Sequence, residues 1–514
     1  MVKSFKLFLL LQFALSTLIF FIQPLNAKEL IKEGIIKVKR SHLRTPEEVA
    51  ASEVMLQAEG KIPKAIKIPF RPALNKFEYK IEKDAATSIR EPSHAEKETK
   101  NTTAPSLKEI NIEGVNQNEA GGSYPPDTHG AAGIDHFVEI TNQNVDIYEK
   151  STGNRVKSTS LASFFGYTEK DLFDPRCVYD HMRDRWIITA EAFPETSTIQ
   201  YQFIAVSKTS DPLGSFYIYS MDVNYKDRRD FWDFPQLGFD QNAILITGNI
   251  FFAEVIPRNA ALLVVNKSRL YSGLSLKVKF FSGLKMNVSP PIVLDSSEKT
   301  FLIAPQTKGT TITKYTLTYT NKIPALTSSI ITVPSYSIPP DAEQPDTDTK
   351  LDTSDSRFVN ASTQYGDSLW QVHTVNNSGR PSPKFYEFNT VNDSVVQSGF
   401  FYASSTSHDW NASVTANTIG DAFVTWSSTD PANGTNAQVR FSGRKGTDFA
   451  GIISSGESLF TSSAFYNPSS DNVERWGDYS AVTIDPEDSQ TAWIVNEKIN
   501  NKIIWGSRIG QIGF

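Results

Sequence analysis

The sequence holds a single cysteine, Cys177, among 514 residues, so no intrachain disulfide can form and stability must come from packing or bound ions. It also lacks the short signatures that name a chemistry outright. Its 7 histidines show no HExxH or paired metal spacing, and there is no phosphate-binding loop, dinucleotide fingerprint or GxSxG elbow. After residue 27 no apolar stretch approaches the roughly 20 residues a helix needs to cross a bilayer, so no membrane span is expected there. A basic excess on the main body is missing as well. Of the net charge of −6, residues 1–27 contribute +2 and residues 28–100 contribute +4, which leaves −12 on residues 101–514. Clustered Lys and Arg are what bind phosphate backbones, so nucleic acid is excluded as the main partner.

What is present begins with an export signal. Lys3 and Lys6 precede an uncharged apolar run over residues 7–22, and Gln23-Pro24-Leu25-Asn26-Ala27 makes a cleavage region. This predicts a signal peptide over 1–27, a mature chain from Lys28 and a secreted or periplasmic location. Residues 28–105 are rich in Lys and Glu and broken by Pro63, Pro69, Pro72 and Pro92. They contain one helix start, where Thr45 caps, Pro46 takes the first position and Glu48 completes a capping box, with Gly60 as the stop. The segment reads as a basic arm or linker with one short helix, lying on the acidic body.

From residue 106 the chain turns to β-formers in short runs separated by Gly, Asn, Asp, Pro and Ser. One theme recurs: an apolar residue or glycine, an aspartate, a polar turn and an apolar strand. The aspartates are Asp135, Asp180, Asp240, Asp295, Asp367, Asp421 and Asp485, a mean spacing of about 58 residues, the size of a four-stranded blade with generous loops. A third strand follows each, and the first six gain a further β-rich segment. The seventh lacks one, and residues 107–113 alternate polar and apolar as its outer strand should. The expected architecture is all-β: a seven-bladed β-propeller of four-stranded antiparallel blades over 106–514, closed by an N-terminal strand and preceded by the short, partly helical arm.

Several stretches carry a likeness: Pro125-Pro126-Asp127-Thr128-His129-Gly130-Ala131-Ala132-Gly133, Asp174-Pro175, SKTSDPLG over 207–214, Arg475-Trp476-Gly477-Asp478-Tyr479-Ser480, and Asp485-Pro486. As a set they resemble a family of secreted bacterial β-propeller-like proteins over roughly residues 107–514. The resemblance implies the propeller and export, and it lends no catalytic residues. The Ser-x-Asp-x-Gly-x-Thr-Trp turn of sialidase-type propellers has no complete copy here.

Six to eight residues ahead of the turn aspartates stand Asp127, Asp174, Asp233 and Asp478. At equivalent loops of neighbouring blades they form an acidic arc suited to a hard cation such as Ca2+ or to acid/base work; the alternative is that they brace loops through backbone hydrogen bonds. The same upper face is expected to carry Arg228, Arg229 and Trp232, His408 with Asp409 and Trp410, Arg475 with Trp476, and Glu191, Glu254 and Glu497. The tryptophans offer sugar or protein platforms unless they pack between blades. The six acids of residues 339–355 lack the glycine and terminal glutamate of an EF-hand and read as a solvated loop. No nucleophile, base and orienter form a set. The expected function is a monomeric binding or surface-interaction module for a glycan or protein ligand on that face, not an enzyme. The alternative is a secreted glycan hydrolase or lyase with paired carboxylates at the channel mouth.

Overall fold

The computed structural model describes residues 31–61, 65–88, 102–224, 226 and 228–514. The expected signal peptide lies outside the described residues. From His129 onward the chain runs as consecutive antiparallel meanders. The first is His129–Ala132, His136–Thr141, Asn144–Glu149 and Arg155–Ser160; the second is Leu172–Asp180, Arg185–Ala192, Tyr201–Ser207 and Phe216–Asp222. The third is Asp230–Phe239, Ala243–Phe252, Ile256–Asn266 and Leu276–Leu284, and the fourth is Pro291–Val293 followed by Thr300–Pro305, Gly309–Thr320 and Ile323–Tyr336. Ser362–Tyr365, Ser368–Asn377, Arg380–Asn389 and Ser394–Phe400 make the fifth; His408–Ala416, Ala422–Asp430, Thr435–Arg444 and Glu457–Thr461 make the sixth. The last runs Ala481–Ile484, Thr491–Asn501 and Ile504–Gly513, and its outer neighbour is Ser106–Asn116, paired antiparallel with Leu107 opposite Ile512 and Ile112 opposite Ile509.

First strands of neighbouring meanders lie side by side, with Ile292 paired in parallel to both Phe239 and Thr363. Short up-and-down sheets with their first strands gathered at a centre are a β-propeller. The sheets pack through their faces, because second and third strands present apolar residues on both sides: Ile187 with Ile188, Ile204 with Ala205, Phe423 with Val424 and Ile494 with Val495 are all buried.

Five of the seven turn aspartates clasp one meander to the next. Asp180 pairs with Lys267 (2.7 Å) and accepts from the Tyr271 hydroxyl, and Asp240 accepts from Thr300 (2.8 Å) and Tyr319 (2.7 Å). Asp295 accepts the Gly366 amide, Asp421 the Gln490 side chain, and Asp485 of the last meander holds Lys150 of the first (2.9 Å). Their recurrence therefore answers an architectural need.

The arm is more structured than its sequence suggested. Its helix Pro46–Ala58 has the expected capping box, but a second helix, Lys76–Ser88, starts where the Asn75 side chain accepts the Glu78 amide (3.0 Å). Two short strands accompany them. Lys32–Val38 adds to the outer edge of the third meander and His42–Arg44 to that of the second. The arm is thus no free linker; it covers two sheet edges that would otherwise expose unpaired backbone.

Candidate functional site

The inner strands of the second, third and sixth meanders are kinked near their starts. Register shifts interrupt pairing between Phe173 and Arg176, Asp233 and Gln236, and Trp410 and Ser413. At these bulges Asp174 (φ 48°), Phe234 (φ 56°) and Asn411 (φ 51°) are left-handed, as are Asp127 (φ 51°) and Asn287 (φ 61°) ahead of two other first strands. Asp and Asn tolerate this region better than most side chains, so the recurrence of Asp127 and Asp174 is partly a backbone demand. Asp233 sits one residue before the matching position, which Phe234 fills; it is not the counterpart of Asp174 that the spacing suggested.

The four aspartates do converge, but under cover rather than on an open face. Asp127, Asp174, Asp233 and Asp478 are all buried, as are Glu191 and Glu497. Asp127 accepts the Asp478 amide (2.6 Å) and the Asn142 side chain (2.6 Å), and Asn142 in turn accepts the Asp174 amide (2.9 Å). The Tyr479 hydroxyl donates to Asp174 Oδ2 (2.6 Å), and the Gly477 amide to Glu497 Oε2 (2.7 Å). One oxygen each of Asp174, Glu191 and Asp233 lies within 4.8 Å of the others. Burial pushes Asp127 up to about 7, with Asp478 adding to the shift, and lifts Asp174, Glu191 and Glu497 well above the usual carboxylate range. Asp233 is raised by burial and partly restored by Arg71.

The cover is the arm. Residues 66–73 cross the cluster: Ile68 pairs its backbone with Tyr124, Arg71 reaches Asp233 (3.0 Å) and the Glu254 carbonyl, and the Ala73 amide donates to Asp355. Phe70 lies between the guanidinium groups of Arg357 and Arg475, at 4.6 and 5.4 Å. The loop over 339–355 docks against this segment instead of standing in solvent. Asp355 holds Arg357 through two hydrogen bonds (2.7 and 3.0 Å), Asp352 holds Arg475 (2.9 Å), and Asp341 holds Lys83 of the second arm helix (2.8 Å).

The other candidates separate from this cluster. Trp232, Trp410 and Trp476 are buried, so none is a platform. Trp232 Nε1 donates to Gln202 (2.9 Å), and Trp410 meets Trp476 edge-on at 5.2 Å. Asp409 accepts from Ser407, Trp426 and the Ala403 amide as a buried brace. Arg475 is buried in the two ion pairs with Asp352 and Asp478. Arg228, Arg229 and Glu254 stay exposed, and Arg228 lines a small cleft with Lys32 and Arg258. Cys177 is buried and its thiol is pushed up by burial, away from thiolate chemistry.

Sequence reasoning missed the residue at the centre. Arg176 donates to the carbonyls of Pro235 (2.9 Å) and Val359 (3.1 Å) and lies 3.3 Å from the Tyr479 ring centre, so one guanidinium ties the second, third and last meanders to the loop before the fifth. The signal was its place directly after Asp174-Pro175. Beyond it, His129 accepts the Cys177 amide at Nδ1 (3.2 Å) and meets Asn360 Oδ1 at Nε2 (3.0 Å), which puts its one proton on Nε2. Burial, with Arg176 nearby, pushes the imidazole down to about 3, so it stays neutral.

This His129–Asn360 pair floors a funnel at the other mouth of the channel. The cavity, about 210 Å³, is lined by Ala131, Val178, Ile292, Val414 and Val482 from different first strands and by Ala361 just ahead of another, together with Tyr179, Phe239, His181, Asp485 and polar residues such as Thr363, Thr415 and Asn417. It was not anticipated, because single alanines and valines in strands carry no sequence mark of a shared cavity.

No family model matches the chain, and no curated protein matches it. Similar solved structures include the Dos1 propeller, 6% identical with a TM-score of 0.37 over 74% of this chain and 75% of that one. RRP9 WD40 repeats are 8% identical with a TM-score of 0.37, over 80% of this chain and all of theirs (100%). An exo-β-1,3-galactanase from Phanerochaete chrysosporium with galactose is 8% identical with a TM-score of 0.31, over 78% and 99%. At such TM-scores these likenesses bear on neither site nor function.

Proposed function

We propose that this protein is an exported binding propeller of seven blades, closed by Ser106–Asn116, whose ligand inserts a predominantly apolar group into the funnel at the open mouth of the channel. The observation that carries this reading is the contrast between the two mouths. One is covered by the arm, which places Arg71 on the carboxylate cluster; the other is a cavity lined by aliphatic side chains with Tyr179 and Phe239, by a few threonines and asparagines, and by the neutral His129–Asn360 pair. Ligand sites are concave, mostly apolar and carry few polar groups. The aliphatic part of this lining, drawn from Ala131, Val178, Ile292, Val414 and Val482, suits an apolar side chain of a protein ligand. A glycan-cleaving reading requires the arm to leave the carboxylates.

The test is to fill the funnel. Ala361→Phe is expected to abolish binding of an environment-sensitive apolar dye, and of partners recovered with the wild-type protein, while the melting temperature stays close to that of the parent. Undiminished dye and partner binding by the filled variant sinks the proposal. Glycan turnover that survives Ala361→Phe and is lost in Asp174→Asn would replace it with the enzymatic reading.

A further inference from the structure

Three carboxyl groups beneath the arm are left with fewer partners than their burial demands. Asp174, Glu191 and Asp233 come from two adjacent meanders, and an oxygen of each falls within 4.8 Å of the other two. Their one close cation is Arg71, which takes a single oxygen of Asp233 (3.0 Å). The remaining guanidinium groups are committed elsewhere: Arg357 to Asp355, Arg475 to Asp352 and Asp478, and Arg176 to two backbone carbonyls. Asp127 and Asp478 have their own partners.

Glu191 is the telling residue. It is fully buried, and neither carboxylate oxygen makes a hydrogen bond of good geometry among the described residues, although the Phe234 amide favours its charged form. Asp174 Oδ1 is likewise buried and unpartnered, while Oδ2 accepts from Tyr479. Buried polar groups nearly always have partners, and an unpaired buried carboxylate is strongly destabilising. Two oxygens bound to one Ca2+ at 2.3–2.6 Å cannot be more than about 5 Å apart, a limit this trio meets. Three carboxylates against one guanidinium leave two negative charges, which one divalent ion matches.

We propose that Asp174, Glu191 and Asp233 bind a hard divalent cation, Ca2+, buried between two blades beneath the arm. The set differs from the arc expected from sequence, in which Asp127 and Asp478 stood where Glu191 does. Oxygen-only donors exclude the softer transition metals as preferred ions, and the bulged, adaptable strand ends favour Ca2+ over the rigid octahedron of Mg2+. This site is independent of the funnel.

The experiment uses the full mature chain, stripped with chelator and re-equilibrated with Ca2+ or Mg2+. Elemental analysis is expected to return one Ca2+ per chain, and the melting temperature to rise by several degrees over the stripped protein. Tb3+ should bind with emission sensitised through Tyr479, and Ca2+ should displace it. In Glu191→Gln the bound Ca2+, the thermal shift and the Tb3+ signal should all disappear, while the metal-free variant melts no lower than metal-free wild type, because the Glu191 oxygens make no hydrogen bond that the change would break. Asp174→Asn provides a second variant should Glu191→Gln fold poorly. A wild-type chain that retains no ion, retention of Ca2+ by both variants, or preference for Mg2+ overturns the assignment.

Discussion

Aspartates dominate the chemistry of single residues here, and their roles divide by what surrounds them. Turn aspartates such as Asp180 and Asp485 find a lysine on the neighbouring meander and act as clasps. Those at the inner strand ends are buried among one another, where the same side chain becomes costly to ionise. The sequence made Asp127, Asp174, Asp233 and Asp478 visible as a group, because their spacing repeats. It could not show that Phe234 displaces Asp233 from register, nor that Arg71 and Arg176 complete the cluster, since those contacts join segments distant in the chain. A second acidic pair yields a prediction. Glu139 and Asp146 stand directly opposite on adjacent strands, and Glu139 accepts from Tyr148, Ser507 and the Val115 amide. Burial, reinforced by Asp146, pushes Glu139 up to about 7 from 4.5. The folded state therefore holds a proton that the unfolded chain releases, so this group's contribution to stability falls as pH rises from its unfolded value toward 7 and is flat above. Denaturant titrations across that range should show Glu139→Gln losing this fall, by on the order of 3 kcal/mol relative to wild type. Parallel profiles for the two proteins would contradict it.

Among the elements, the arm departs most from expectation. Its first helix was legible from Thr45, Pro46 and Glu48 because capping chemistry is local. The second helix had the same kind of mark in Asn75 and Glu78, obscured by the prolines before it. The two arm strands had none, for their pairing depends on sheet edges more than a hundred residues away. The basic excess of the arm finds its counterpart in Asp233, Asp341 and Asp471, paired with Arg71, Lys83 and Lys67. Removing residues 28–100 should leave a folded body with a lowered melting temperature, since two edges and the carboxylate cluster are uncovered. Removing residues through 113 should lower it much further by taking the strand paired to Ile504–Gly513 as well. Calorimetry on the two truncations decides, and equal melting would refute the distinction.

For the whole molecule, the repeat of about 58 residues was enough to read a propeller, because the theme recurs with each inner strand. The funnel was not readable, since a cavity shared by many strands has no single segment to mark it. Among the described residues no helix is long and apolar enough to cross a membrane. Export remains the expectation from residues 1–27, and mass spectrometry of exported material should find a new N-terminus at or near Lys28; intact Met1 in the membrane fraction would instead indicate a retained anchor.

The pairing of Ser106–Asn116 with Ile504–Gly513 also sets a timetable. Asn111 and its hydrogen-bond partner Arg508 stand 397 residues apart in the chain. A ribosome adding roughly 5–20 residues per second delivers the second partner tens of seconds after the first. Through that interval the early strand has an open edge and no mate, and the arm that crosses Asp233 and Arg475 has only part of its seat. The arm strands can dock once the second and third meanders exist, whereas Ser106–Asn116 is made early and docked last, so the molecule finishes folding only when its final strand is free to pair.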